Sequence, residues 1–188
     1  QARMTDDWSK AAATAAAAAN PGPVLAGILS GTADAASADF ARTLAASLNG
    51  EEATLVLAAA AKSANKPVAL AVIREIASRR VAAPATLDAA RSALRTLLAS
   101  SDDAISGSSA AIAALWFTDG SMKAELAAAA GRLLPVLADA KVSIEAKVDA
   151  VRVLVLLRDV DPQVRPALAQ ALASSHESLA VATAGALA

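Results

Sequence analysis

Two short stretches of this chain read almost alike. Residues 97–105 are LLASSDDAI and residues 171–179 are ALASSHESL. A shift of 74 residues sets Leu98 on Leu172, Ala99 on Ala173, Ser100 on Ser174 and Ser101 on Ser175. It then sets Asp102 on His176, Asp103 on Glu177 and Ile105 on Leu179. Near the midpoint, PVLADAKVSIE (135–145) repeats the theme loosely, as an apolar helix end, a polar break and an acidic helix start. Half of 74 is 37, the length of two short helices and their turns. A unit of that size cannot bury its apolar face alone and must stack on its neighbours.

The residue types fit such stacking. Alanine fills roughly three positions in ten, a strong excess over ordinary usage. It is the best helix former and the smallest useful apolar side chain, so helices built from it approach closely. Aromatic residues are only 2% and tyrosine is absent, which argues against a sheet. The chain is therefore expected to be all-α. Helices are expected over 6–19, 23–30, 34–48, 51–64, 66–79, 84–99, 103–117, 121–138, 143–158, 162–173 and from 177 onward. Thr5-Asp6-Asp7, Asn49-Gly50, Ser101-Asp102 and Asp119-Gly120-Ser121 supply caps and turns between them. In the segment 84–99, Leu87, Ala90, Leu94 and Leu97 form one stripe, with Asp88, Arg91 and Arg95 on another face. In 143–158, Ile144, Val148, Val151 and Val155 are joined by Val153, Leu154, Leu156 and Leu157, so that helix must lie between neighbours. Together with the two-helix period, these segments predict one domain over 1–188, a right-handed α-solenoid of about ten or eleven helices.

At this point the chain resembles a known class. DPQVRPALAQALASS (161–175) looks like a HEAT repeat: Asp161-Pro162 opens a helix, Val164 and Arg165 follow, and a Leu/Ala stripe completes it. Pro135 and Pro166, within or near helix starts, add to the likeness. The order DDWSKAAATAAAAANPGPVLAGIL, helical pairs, then DVDPQVRPALAQAL is also similar to the solenoid segment of certain large bacterial proteins. Those proteins join a dehydrogenase-like β-propeller to a c-type cytochrome domain. The resemblance implies an intervening scaffold, in the periplasm, without a redox centre of its own. The haem attachment motif C-x-x-C-H of that family is missing, since the chain has no cysteine.

Little else in the sequence points to chemistry. Without cysteine there is no disulfide, thiolate metal site or thiol nucleophile. His176 is the only histidine, and Ser175, His176 and Glu177 follow one another at one helix start. A serine-nucleophile site needs its groups to converge from different elements, so these residues read as a cap and first turn. The acidic pairs Asp6-Asp7, Glu51-Glu52 and Asp102-Asp103 precede apolar runs and also read as caps rather than metal ligands. No G-x-G-x-x-G or Walker-type loop occurs. SGSSA (106–110) lacks the frame of a nucleophile elbow, and its small residues suit close helix approach. GILSG (27–31) has membrane-dimer spacing without a membrane span around it. The uncharged run from Ala11 to Ala33 is broken by Asn20-Pro21-Gly22-Pro23 and reads as two soluble helices. The start QARMTDDW lacks the basic region of a signal peptide.

Two groups of residues remain as possible interaction sites. Trp116-Phe117 is either a buried anchor between alanine-faced helices or a contact point for a neighbour. Arg74, Arg79 and Arg80, with Arg91 and Arg95 further on, form the one dense basic cluster. A net charge of −1 opposes a nucleic-acid track. The expected function is a non-catalytic scaffold that binds protein, either neighbouring domains or other subunits, without a cofactor, metal, nucleic acid or membrane span. The alternatives are a HEAT-like DNA-repair or DNA-binding enzyme and a repeat domain that holds a small ligand between its repeats. The final SLAVATAGALA carries no polar cap, so Leu179, Val181 and Leu187 are expected to leave an apolar face at the last helix of what reads as an excised segment.

Overall fold

The structure, a computed structural model, describes residue 15 and residues 17–31, 35–174 and 176–187. Most of the expected helix 6–19, with Met4, the Asp6-Asp7 pair and Trp8, lies outside the described residues, as does Ser175. The described residues form ten α-helices and no strand. They are α1 (Pro21–Ser30), α2 (Ala35–Ala45), α3 (Gly50–Lys62), α4 (Lys66–Ser78), α5 (Asp88–Leu98), α6 (Asp103–Trp116), α7 (Lys123–Ala138), α8 (Ile144–Leu156), α9 (Val164–Leu172) and α10 (Glu177–Leu187). The expected all-α class is what the chain adopts.

Two compact units make up the chain, Gln1–Leu97 and Leu98–Ala188. In the first, α1 packs on α3 and α2 on α4, while α1 with α2 and α3 with α4 form the connecting hairpins. In the second, α6, α8 and α10 pack in succession, and α7 packs on α9 beside them. The helix expected to be enclosed, α8, packs against α6, α7, α9 and α10 and buries Val151, Val153, Leu154 and Val155.

Most boundaries follow local chemistry. Asn49 caps α3 in a capping box: its side chain accepts from Glu52 N–H at 3.0 Å, and the Glu52 carboxylate accepts from Asn49 N–H at 3.2 Å. Asp102 caps α6 twice, accepting from Ala104 N–H at 3.0 Å and Ile105 N–H at 3.1 Å. The turn after α6 uses Gly120 at φ 78°, a conformation that costs glycine little, while Asp119 accepts from Ser121 N–H at 3.0 Å.

The break expected at Asn20-Pro21-Gly22-Pro23 is present, and α1 begins at Pro21, two residues earlier than expected, because proline is preorganised for the first helical turn and lacks only a hydrogen that has no partner there. Two expectations fail. Pro135 stands near the C-terminal end of α7, not near its start. The helix expected from residue 84 begins only at Asp88, because the preceding backbone is held elsewhere. Arg80 ends α4 in the left-handed region at φ 49°. The chain then crosses the N-terminal end of α3 so closely that a Cβ on Gly50 would lie 2.5 Å from Ala82 O and 2.8 Å from Pro84 N. Ala85 N–H donates to Glu51 Oε1 at 2.7 Å, which fixes the crossing.

Tertiary hydrogen bonds tie consecutive segments together at equal spacing. Ser63 Oγ donates to Leu29 O at 2.7 Å and so satisfies a C-terminal carbonyl of α1. Ala85 bonds Glu51, and the Arg132 guanidinium donates to Leu98 O. Each pair is separated by 34 residues. The two look-alike stretches also share a local bond. Asp102 N–H donates to Ser100 Oγ, and His176 N–H donates to Ser174 Oγ, both at 3.2 Å.

Candidate functional site

Of the sequence-derived candidates, the arginine cluster belongs to the first unit and Trp116-Phe117 to the second. Trp116 and Phe117 close α6 and are 5% and 3% exposed, so neither offers surface to a partner. Arg79 pairs with Glu75 at 2.8 Å one helical turn away on α4, and Arg91 pairs with Asp88 at 2.8 Å on α5. Arg74, Arg80 and Arg95 are exposed. Each i,i+3 or i,i+4 pair neutralises its own arginine locally, which leaves less positive charge for phosphate than the sequence cluster implied.

His176 is exposed and precedes α10, where its carbonyl accepts from Leu179 N–H at 3.0 Å and Ala180 N–H at 3.1 Å. It occupies a cap position, as Asp102 does for α6. Among the described residues, no three His, Asp or Glu side chains come together in a way that could hold a metal ion. No described helix is long and apolar enough to cross a membrane.

Sequence reasoning missed a polar knot at the start of the second unit. Ser106 on α6 donates to Leu98 O at 3.0 Å. Arg132 reaches from α7 to Ser106 Oγ at 2.6 Å and to the same carbonyl. Ser106 is buried, and Ser109 one turn later is buried with its hydroxyl unpaired. Nothing in SGSSA distinguishes serines that meet an arginine 26 residues away from serines that merely allow close approach. Lys147 on α8 is also buried, although a lysine near a helix start reads as a surface residue.

The exposed turn between α8 and α9 holds a perturbed carboxyl. Asp159 accepts from Arg165 and lies 3.8 Å from Arg158 Nε. The Arg165 hydrogen bond, above all, holds the Asp159 carboxyl below the ordinary aspartate value.

The second group of exposed residues is apolar. Val181 and Leu187 on α10 are 64% and 43% exposed, and Leu172 at the end of α9 is 45% exposed. From Ser178 to Leu187 the helix carries no charge. Exposed large apolar side chains favour a contact role over a catalytic one. No family model, curated protein or solved structure matches the chain.

Proposed function

We propose that this chain is a HEAT-like α-solenoid that acts as a non-catalytic scaffold and binds protein, organising neighbouring domains or subunits. The observation that carries the reading is the order of packing. In the first unit α1 contacts α3 and α2 contacts α4, and in the second α6 contacts α8, α7 contacts α9 and α8 contacts α10, the order that stacked hairpins produce. The 34-residue spacing of three tertiary hydrogen bonds and the paired Ser100 and Ser174 turns support it. The uncharged face on α10 supports a protein partner over a polyanion.

Small-angle scattering on the purified chain tests the architecture. A compact 188-residue globule has a radius of gyration of about 16 Å. A solenoid exceeds that clearly and gives a skewed distance distribution. Photo-crosslinkers placed at Val181, at Leu172 and at the exposed Leu55 on α3 then test the function in the native host. A scaffold gives discrete protein adducts at some of these positions and none at Arg42, an exposed charged site. A radius near the globular value, or adducts no more frequent than at Arg42, would overturn the proposal.

A further inference from the structure

Among the buried side chains of the described residues, Lys147 alone carries a charge, and it is 8% exposed. It shares one face of α8 with Ala150, Val151 and Leu154, all buried. The arginines that follow it each meet an aspartate: Arg152 meets Asp149, and Arg158 and Arg165 meet Asp159. Among the described residues the Lys147 ammonium has no such partner and no hydrogen bond. A charge withdrawn from water without a counter-charge is costly.

Its place on the helix adds to the cost. Ser143 is the N-cap of α8, so Lys147 lies just past the first turn. A helix N-terminus carries positive partial charge, which attracts anions and opposes a lysine. Helical side chains tilt toward the N-terminus, so Lys147 lies over the turn of Ser143 and Ile144 and carries its ammonium to that end. The donors there are only partly used. Ser143 Oγ accepts from Ala146 N–H at 3.3 Å, and Lys147 N–H donates to Ser143 O at 3.1 Å. The N–H groups of Ile144 and Glu145 meet no acceptor among the described residues. Glu145 is exposed and stands two residues before Lys147, so the two side chains do not face each other. In the same unit α6 shows what such an end takes: the Asp102 carboxylate accepts from Ala104 N–H and Ile105 N–H. On α8 a neutral serine stands at the cap instead, with a buried cation behind it.

We propose that Lys147 and the first turn of α8 bind a small oxyanion, a phosphate or carboxylate group. The anion accepts from the Ile144 and Glu145 N–H groups and from the Lys147 ammonium, and so does for α8 what the Asp102 carboxylate does for α6. It supplies the counter-charge that the buried lysine lacks. This site goes beyond the scaffold reading and does not depend on it.

NMR of the full chain tests the site, with inorganic phosphate, acetate and chloride each titrated at constant ionic strength. Phosphate, acetate or both should give saturable shifts at the Ile144 and Glu145 amides and at the Lys147 ammonium, and chloride should not. A response to phosphate alone assigns a phosphate group, and an equal response to acetate assigns a carboxylate. Lys147→Met keeps an unbranched apolar stem and should weaken binding about tenfold or more, the share of one charge-assisted hydrogen bond. Lys147→Arg should retain most of it. Thermal melts give a second readout: the anion that binds should raise the Tm of the chain but not that of Lys147→Met. If the lysine serves only as apolar cover with its tip in water, neither anion gives a saturable shift, and that result overturns the proposal. Saturable binding that Lys147→Met leaves unchanged overturns it equally. Should Lys147→Met fail to fold, the titration of the unaltered chain together with Lys147→Arg decides.

Discussion

Gly50 decides the path of the chain between α4 and α5, and its replacement by alanine should show this in the sign of a stability change. Gly50 is the first residue of α3, a place where alanine is ordinarily welcome. In a helix interior the exchange gains roughly 0.5–1 kcal/mol, because glycine loses more freedom on folding. Here the new methyl would lie 2.5 Å from Ala82 O, 2.8 Å from Pro84 N and 2.9 Å from Ala83 C. All three are backbone atoms, so no rotamer change relieves them, and the crossing segment has to lift by several tenths of an ångström. Overpacking of this kind costs about 1–3 kcal/mol. The lift also stretches the 2.7 Å bond from Ala85 N–H to the Glu51 carboxylate, a charge-assisted contact worth about 1.5–3 kcal/mol. Gly50→Ala is therefore expected to destabilise by up to about 2.5 kcal/mol from overpacking after the helix gain is subtracted, and by more as the Ala85 bond is lost. Gly131→Ala on α7 is the control, since nothing lies within 4 Å of that Cβ, and it should stabilise by about 0.5–1 kcal/mol. Urea melts of both variants measure the difference, and limited trypsin digestion adds a local readout. A loosened crossing exposes the bonds after Arg79 and Arg80 and speeds cleavage there. Equal stabilisation by both substitutions, with unchanged cleavage after Arg80, would refute the close crossing.

The paired caps make a second contrast. Asp102→Ala removes two acceptor contacts and should cost about 0.5–2 kcal/mol, whereas His176→Ala should cost under about 1 kcal/mol. His176→Asp should stabilise α10 by about 0.5–1 kcal/mol, and a thermal melt that shows a loss instead would break the correspondence. Arg132→Met should cost about 1–3 kcal/mol, through the lost bonds to Ser106 Oγ and Leu98 O, with lowered amide protection at the start of α6 as the check. The Asp159 carboxyl is held below its ordinary value, so its pairing with Arg165 stabilises the fold above the unfolded aspartate value. That contribution disappears as pH falls through the lowered folded value. Carbon-detected titration should place Asp159 below the ordinary aspartate value, and Arg165→Gln should return it upward; no movement would discount the hydrogen bond.

Much of the helical order was legible because the chain repeats a few strong local rules. Polar caps such as Asn49, Asp102 and Ser143 are followed by alanine- and leucine-rich runs, and each of these helices begins immediately after its cap. At Pro21 the new start read from the sequence is present two residues early, because proline suits the first helical turn. At Pro84 a proline that reads as a helix start lies in a segment pinned to α3. That placement depends on Gly50 and Glu51, residues far along the chain, so no local pattern around Pro84 encodes it.

The surface chemistry was legible in one direction only. Apolar faces leave a periodic trace, but of the three residues expected on a bare face Val181 and Leu187 are exposed while Leu179 is buried in the core. Trp116 and Phe117 left two open readings, because a large side chain is as useful for filling a gap between alanine faces as for gripping a partner. Both side chains are buried, which is where a gap-filling role places them.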